Sequence, residues 1–297
     1  MKKLILICNP RAGKGISGEK LKEMLSFYTS RDFLPTVYFT KKDDDLMEII
    51  SEAKNYDQLV VCGGDGMMNA VCTAVQKSDY RPKIGYLPHG TTNDFAKSIG
   101  IPFSFNEMLE TSISENVKKL DTGYINDRFF MYVAGFGLFT DVSYKTPQSS
   151  KNALGYLAYV LEGVKSISEI RTYHLKVKVG SGENGEVEEI EDDFIMGLVT
   201  NSMSVAGMKV LSKEDTKLDD GIFEMLLIKK PSSINDLREA VESMVMTNTN
   251  AGLMIYRQGS SFSFEGDELS WCLDGEFGGS YGHTEISVEN GGMYIRT

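Results

Sequence analysis

The first hundred residues alternate short apolar runs with segments of helical periodicity, and this alternation restricts the fold more than any other feature. The runs are short enough to be strands that are buried on both faces, and helical patterns separate them. Strand, helix, strand, helix implies a parallel sheet that is covered by helices on both sides. In such sheets ligands bind at the carboxyl ends of the strands. The four apolar runs are residues 4–7, 36–39, 59–62 and 84–87.

Two of the helical segments have a clear apolar face. The first contains Leu21, Met24, Leu25 and Tyr28, and the second contains Leu46, Ile49, Ile50 and Ala53. A third helical segment covers 67–76.

From about residue 120 the pattern changes to β-rich segments separated by Gly, Asn or acidic turns, which predicts a mainly antiparallel β domain. Helical patterns interrupt it near 154–166 and 234–246. Residues 183–193 contain seven acids, which indicate a solvated hairpin or loop rather than a metal site. The predicted β segments are 128–133, 174–179, 194–200, 222–228, 261–264 and 284–288.

Charge is divided unevenly along the 297 residues, whose net charge is -11. Residues 1–120 hold 16 basic and 15 acidic side chains, whereas residues 121–297 hold 15 and 27. The split supports two domains with different roles. An acidic chain is a poor candidate for nucleic-acid binding, which needs clustered cations, so no nucleic-acid partner is expected.

Several features point to the cytoplasm. No apolar stretch approaches 18 residues, and the first seven residues are too short for a signal peptide. The cysteines form no C-x-x-C motif, which favours buried free thiols in a reducing compartment. The three histidines share no metal spacing, and His89 is interpreted as a loop-packing residue. The cysteines are Cys8, Cys62, Cys72 and Cys272.

Three polar, glycine-bearing loops follow the first, third and fourth apolar runs, at 9–15, 63–69 and 88–95. Glycines let backbone N–H groups approach a phosphate, and the next helix N-terminus adds a favourable dipole. Asp65 fits an acceptor, toward a metal, a nucleotide hydroxyl or a substrate proton. Any single loop could be a tight turn, but three at one sheet edge favour a phosphate site. The P-loop and dinucleotide fingerprints are both absent.

These loops carry a specific resemblance. N-P-x-A-G-x-G, G-G-D-G and P-x-G-T-x-N-D-F, followed by L-D-T-G, L-D-D-G and L-D-G-E, resemble the diacylglycerol kinase catalytic family, whose relatives include sphingosine and ceramide kinases. G-G-D-G alone also occurs in NAD kinases and phosphofructokinases. The later motifs separate the lipid kinases from those families.

The resemblance implies an α/β domain over 1–120 with a parallel sheet, similar to NAD kinase and phosphofructokinase, that holds ATP. It implies an antiparallel β-sandwich over 121–284 that carries a structural metal loop, with 285–297 returning to the first domain. The active site would lie in the cleft between the two domains.

The implied activity is ATP-dependent transfer of the γ-phosphate to a lipid hydroxyl, most readily that of diacylglycerol, with Mg²⁺ as the metal and phosphatidic acid as the product. The enzyme would be cytoplasmic and would reach its lipid at the inner face of the membrane, with a homodimer as an assembly to test. The acidic segment would face away from that membrane. Candidate residues for the docking face are Lys145, Lys151 and Tyr156.

The resemblance also assigns roles to single residues. In the ATP site, Asn93 and Asp94 would fix the loop before the next helix, and N-capping is the alternative role for both. The residues that would contact the nucleotide are Asn9, Pro10, Arg11, Ala12, Gly13, Thr40, Gly64, Asp65, Gly66, Met67, Met68, Asn69 and Thr91.

In the second domain, Glu276 matches the family's proton acceptor, with Asp274 as its close alternative, and Asp65 is counted with them as a catalytic acceptor. In an extended segment Asp274 and Glu276 would share one face; a surface Asp-Gly turn is the structural alternative.

The structural Mg²⁺ would be bound by the Asp220 carboxylate and by the carbonyls of Lys217 and Ile222, oxygen donors that suit this ion. Asp121 would link that ion to the active site through water. An Asp-Asp-Gly turn is the alternative for this segment.

Two residues depart from the usual G-G-D-G-T-x-N-E pattern: Met67 replaces Thr and Ala70 replaces Glu. A hydroxyl and a carboxylate are thus missing beside the phosphates. The departures keep two alternatives open, a kinase of another lipid alcohol or sphingoid base, and a non-catalytic nucleotide- or lipid-binding protein.

Overall fold

The computed structural model describes residues 1–10, 15–41, 46–91, 93–138, 170–181, 185–202, 204–205, 208–209, 217–245 and 252–297. The helix predicted near 154–166 lies outside the described residues. So do three predicted nucleotide-site residues and the three predicted docking residues: Arg11, Ala12, Gly13, Lys145, Lys151 and Tyr156.

The chain divides into two compact units, Met1–Leu120 with Gly291–Thr297, and Asp121–Asn290. Among the described residues, no helix is long and apolar enough to cross a membrane.

The first unit is built on a parallel sheet whose strands alternate with helices, as the periodicity predicts. The strand order is β2-β1-β3-β4, and Tyr294 and Ile295 continue the sheet beside β4 in parallel. Its elements are β1 (Lys2–Cys8), α1 (Gly18–Ser30), β2 (Phe33–Phe39), α2 (Leu46–Ala53), β3 (Gln58–Gly63), α3 (Asp65–Gln76), β4 (Lys83–Pro88), α4 (Asp94–Ile99) and α5 (Phe105–Ser112).

Both faces of this sheet are covered. Every residue of β3 is buried, as are the last five of β1. Because side chains alternate across a strand, consecutive burial requires packing on both sides. On one face Met24 and Tyr28 of α1 and Leu109 of α5 form a core with alternate β1 residues. The predicted apolar face of α2 is fully buried.

Two of the four cysteines pair side by side inside this core. Cys8 and Cys62 occupy matched positions on β1 and β3, and all four cysteines are free thiols, three of them buried, as predicted. The hydrogen bond with Cys62, together with burial, raises the pKa of the Cys8 thiol. This thiol therefore stays protonated and acts as a small apolar group.

The second unit is antiparallel. Its strand order is β13-β12-β9-β7-β14-β15, with β8 pairing both β9 and β14, and β5 pairing β6. Its elements are β5 (Val117–Ile125), β6 (Arg128–Phe130), β7 (Val133–Gly137), β8 (Tyr173–Ser181), β9 (Glu186–Thr200), β10 (Ser204–Val205), β11 (Met208–Lys209), β12 (Phe223–Lys229), α6 (Ile234–Val245), β13 (Met254–Gly259), β14 (Ser261–Leu273) and β15 (Glu276–Arg296). The first four residues of β5 and the last six of β15 belong to the first unit.

An aromatic cluster fills the core of the second unit. Trp271 lies 5.1 Å from Phe136 and 5.2 Å from Phe264 between ring centroids, with edge-to-face geometry in both pairs. Aromatic pairs favour this arrangement. The indole N–H of Trp271 donates to the Thr284 hydroxyl at 3.0 Å, so the one polar atom of this buried ring is satisfied.

Several predicted strands have different boundaries in the structure, and three of them differ most in what they imply. The segment predicted as one strand over 128–133 is two strands, β6 and β7, with a break at Met131 and Tyr132. The segments at 261–264 and 284–288 belong to much longer strands, β14 and β15. These strands contain register shifts near Glu265 and Trp271, and the glycine and acidic residues there indicate turns when only the sequence is considered.

The predicted solvated hairpin at 183–193 is confirmed for its described part, since the acids of β9 lie in an antiparallel ladder with β8. Cations pair with them: Lys176 with Glu189 at 2.7 Å and Lys229 with Asp192 at 2.6 Å. The described residues contain no group of three or more His, Cys, Asp or Glu that could hold a metal.

One close approach in the first unit gives a stability prediction. A Cβ on Gly85 would lie 2.1 Å from the backbone oxygen of Ser112, so Gly85→Ala forces β4 and α5 apart. We expect a loss of about 1–3 kcal/mol in the free energy of unfolding, as for other overpacked sites. Urea unfolding followed by circular dichroism measures it. Gly18→Ala is the control, because no atom lies within 4 Å of its added Cβ. Equal stability of the two variants would contradict the close packing of Gly85 against the Ser112 backbone.

Candidate active site

Backbone hydrogen bonds carry the parallel ladder one residue beyond the strand ends in the first unit. Thr40 N–H donates to Cys8 at 3.0 Å, Asn9 N–H donates to Cys62 at 3.1 Å, and His89 N–H donates to Gly63 at 2.7 Å. The loops after β1, β2, β3 and β4 therefore start in register at one edge of the sheet. The structure brings Asn9, Thr40 and Gly64 together there, at the carboxyl edge where ligands bind in such folds.

The loops after β3 and β4 touch backbone to backbone. A Cβ on Gly64 would lie 3.0 Å from Gly90 Cα, and one on Gly90 would lie 2.6 Å from Gly64 Cα. Only glycine at both positions permits this approach. It brings the starts of α3 and α4 close together, and a helix N-terminus such as that of α3 is suited to bind an anion.

Asp65 joins the two helices. Its carboxylate accepts from Asp94 N–H at 3.0 Å and from Phe95 N–H at 3.3 Å, so it satisfies the first turn of α4. N-capping by Asn93 or Asp94 was the expected alternative for those residues, but Asp65 supplies the cap. The structure thus gives Asp65 a positioning contact, and an acceptor role toward substrate stays a prediction.

Asn93 fixes the loop before α4, as the resemblance implied. It has a left-handed backbone with φ of 49°, and its side chain both accepts from Gly90 N–H at 2.8 Å and donates to Gly90 carbonyl at 3.0 Å. Asp94 is buried and lies 3.5 Å from the ammonium group of Lys97. Asn93 therefore holds the loop, whereas the Asp94 carboxylate pairs with a residue of its own helix.

The remaining predicted nucleotide residues divide by exposure. Pro10, Gly66 and Thr91 are exposed, and Asn69 is half-buried with its amide oxygen accepting from Thr73 at 3.4 Å. Met67 and Met68 are buried. Met67 packs over Gly63, because a Cβ added to Gly63 would lie 2.6 Å from the Cβ of Met67. The side chain that replaces the family's Thr therefore points into the core.

In the second unit, Asp274 and Gly275 form the two-residue turn between β14 and β15. Both have positive φ, 50° and 93°, as expected for an Asp-Gly hairpin turn. The Leu273–Glu276 pair closes the turn. The prediction that Asp274 and Glu276 share an extended face is wrong, because the left-handed turn lies between them. Asp274 is also buried, so the turn is not a surface one.

The Asp274 carboxylate accepts three backbone N–H groups. Met131 donates at 2.6 Å, and Tyr132 and Val133 each donate at 3.0 Å. These bonds replace strand pairing at 131–132, which explains the break between β6 and β7. They also orient this carboxylate toward the backbone. Glu276 is exposed, and among the described residues its carboxylate has no hydrogen-bond or ion-pair partner.

The predicted metal loop is pinned to β5 by Asp121, which is 1% exposed. Asp121 N–H donates to Leu218 carbonyl at 2.7 Å, and its carboxylate accepts from Gly221 N–H. Asn201, which the sequence did not single out, donates to the carbonyls of Asp121 and Leu218 at 3.1 and 3.2 Å. Its place just after a buried strand was the available indication.

The same loop leaves oxygen donors for a cation. Lys217 and Asp220 are exposed, Ile222 is half-buried, and Asp220 folds back to accept from Ile222 N–H at 3.1 Å. Carboxylate and carbonyl oxygens are the ligands of hard divalent cations, so the donor types present fit Mg²⁺.

Comparisons with known proteins agree with the motif order. The model of the diacylglycerol kinase catalytic domain matches residues 3–125. A diacylglycerol kinase of Staphylococcus aureus (strain JH9) is 31% identical over 296 residues, which are 97% of this chain and 90% of the relative. One of Bacillus subtilis (strain 168) is 29% identical over 283 residues, covering 94% of this chain and 91% of the relative.

A crystal structure of a putative diacylglycerol kinase from Bacillus anthracis has the same fold, with a TM-score of 0.80 and 23% identity over 99% of this chain and 96% of that one. The resemblance inferred from the motifs is confirmed, and the chain belongs to the diacylglycerol kinase family of lipid kinases.

Proposed function

We propose that this lipid kinase transfers the γ-phosphoryl group of ATP to the hydroxyl of a diacylglycerol, which yields phosphatidic acid and ADP. Its relatives are named diacylglycerol kinases, which supports diacylglycerol as the lipid substrate. The converging loops of the first unit support the nucleotide, because phosphoryl transfer depends on positioning and on N–H groups or cations that stabilise the phosphates. In the reaction the lipid oxygen forms a bond to the γ-phosphorus, the bond to ADP breaks, and the hydroxyl proton leaves.

The exposed carboxylate of Glu276 carries this proposal. A base must be within reach of the hydroxyl that it deprotonates, and it must be able to accept a proton. Glu276 meets the second condition because its carboxylate is exposed and has no partner among the described residues. Asp274 receives three N–H groups instead and holds the hairpin that presents Glu276. We therefore propose that Glu276 accepts the hydroxyl proton and that Asp274 positions the turn.

Mg²⁺ is the metal that we propose. Bound with ATP, it would neutralise phosphate charge during transfer. A second, structural ion would be held by the Asp220 carboxylate and the carbonyls of Lys217 and Ile222. In the first unit, Asn9, Thr40, Gly64, Gly66, Asn69 and Thr91 are the described residues that we place around the nucleotide.

Glu276→Gln should lower kcat by about 10²- to 10⁴-fold, the usual contribution of a general base, while the KM for ATP stays within about twofold. Transfer of radiolabelled phosphate to diacylglycerol measures it. The control is Glu285→Gln, an exposed glutamate of the same strand that pairs with His283. A Glu276→Gln enzyme with wild-type turnover would remove Glu276 from the mechanism.

Asp274→Asn should act differently, by lowering stability. The amide offers one acceptor oxygen and places an N–H toward the donors at 131–133, so some of these N–H groups lose their partner. We expect this to lower the free energy of unfolding by about 1–3 kcal/mol. Thermal unfolding should show a lower midpoint for Asp274→Asn and an unchanged one for Glu276→Gln. Unchanged stability in Asp274→Asn would show that the turn does not depend on this carboxylate.

A second candidate function, a kinase of another lipid alcohol or a sphingoid base, is kept open by Met67 and Ala70. Vesicles that each carry one candidate lipid test it and also test our proposal that the chain acts at a membrane surface. We expect diacylglycerol to be phosphorylated fastest and the chain to sediment with the vesicles. Faster phosphorylation of a sphingoid base would favour the second function, and transfer to no lipid would contradict both.

A further inference from the structure

His89 lies where the loop after β1 meets the loop after β4. Its Nε2 is 3.0 Å from the carbonyl oxygen of Gly15. A carbonyl only accepts, so Nε2 must carry the proton in this contact. Gly15 ends the loop after β1, and His89 begins the loop after β4. The side chain therefore links two loops that are separated by 74 positions in the sequence.

The His89 end of this link is held firmly. The backbone of His89 continues the parallel ladder through its bond to Gly63, and the next residue, Gly90, packs on Gly64. His89 also lines a small cavity together with Met24 of α1 and with Phe105 and Met108 of α5. The donor position is therefore set by the sheet and by the core of the first unit.

The Gly15 end of this link lies beside Pro10 and leads into α1. Gly15 has φ of 76°, and a Cβ there would lie 3.3 Å from the Pro10 carbonyl oxygen, so the two ends of the loop come together. Two residues later Ser17 caps α1, accepting from Lys20 N–H at 3.2 Å. The hydrogen bond at Gly15 thus holds the residue that lies beside Pro10 and leads into the α1 N-terminus.

We propose that His89 is a positioning residue for nucleotide binding, which holds Gly15 and the adjoining N-terminus of α1 at the carboxyl edge of the sheet by donating to Gly15. The inference rests on the proposed placement of ATP at this sheet edge. Groups that are held in place before binding save the ordering cost that they would otherwise pay on binding. His89 itself touches no reacting atom in this proposal, so it should act on ATP affinity and leave the chemical step and lipid binding alone.

Binding of MgATP measured by calorimetry, together with steady-state kinetics, tests the inference on the full-length chain. His89→Ala should weaken MgATP binding by about 2- to 13-fold, the effect of losing one net hydrogen bond, and raise the KM for ATP equally. The kcat and the KM for diacylglycerol should stay within about twofold of wild type. His89→Gln, whose amide nitrogen can reach a similar position, should restore most of the affinity.

His283→Ala is the matched control, because it removes an exposed histidine that bonds only to Glu285 among the described residues. Wild-type affinity in His89→Ala, or equal weakening in His89→Gln and His89→Ala, would overturn the inference. If His89→Ala unfolds, the comparison of His89→Gln with His89→Leu, which keeps bulk without a donor, decides it. A wild-type chain that binds no nucleotide would instead refute the proposed function.

Discussion

The parallel hydrogen-bond ladder of the first unit is the constraint on which the site depends. Because it runs one residue past the ends of β1, β2 and β4, the three loops with the family's motifs begin at fixed and neighbouring positions. The glycine contact between Gly64 and Gly90 then sets the distance between two helix N-termini. Backbone groups rather than side chains define this part of the site. A substitution such as Met67 for Thr can therefore occur without altering the frame.

Two carboxylates that chemistry alone would assign to catalysis hold backbone N–H groups in this structure. Asp65 satisfies the first turn of α4, and Asp274 satisfies three consecutive residues before β7. An ionised carboxylate suits both tasks because it accepts from several donors at once. A buried acid in a motif can thus act through geometry, and we propose that the exposed Glu276 beside it takes part in the proton transfer.

The sequence predicts the first unit well because the patterns that indicate its strands and helices are local. Consecutive apolar residues in β1 and β3, and the i, i+3, i+4 face of α2, are each contained in one element. The break at Met131 and Tyr132 could not be predicted, because it depends on Asp274, which is more than 140 positions away. The length of β15 was missed for a related reason: its glycines indicate turns locally, but pairing with β14 carries the strand through them.

At the site, the motifs identified the loops and the two acids of the second unit, and the family assignment followed from their order. They did not separate the roles of Asp274 and Glu276, because the left-handed turn between them places one inward and one outward. Nor did they predict that His89 and Asn201 bond to distant backbone carbonyls. Such contacts carry no periodicity or motif, so only three-dimensional proximity reveals them.

The division of β15 between the units has a consequence for biosynthesis. The sheet of the first unit receives Tyr294 and Ile295 as its neighbour to β4, yet these residues are translated after all of the second unit. Domains usually fold as they emerge from the ribosome, N-terminal first. Here the nascent first unit must wait with one edge of β4 unpaired until the last residues arrive. The order of synthesis therefore delays completion of the parallel sheet of the first unit until β15 has been translated.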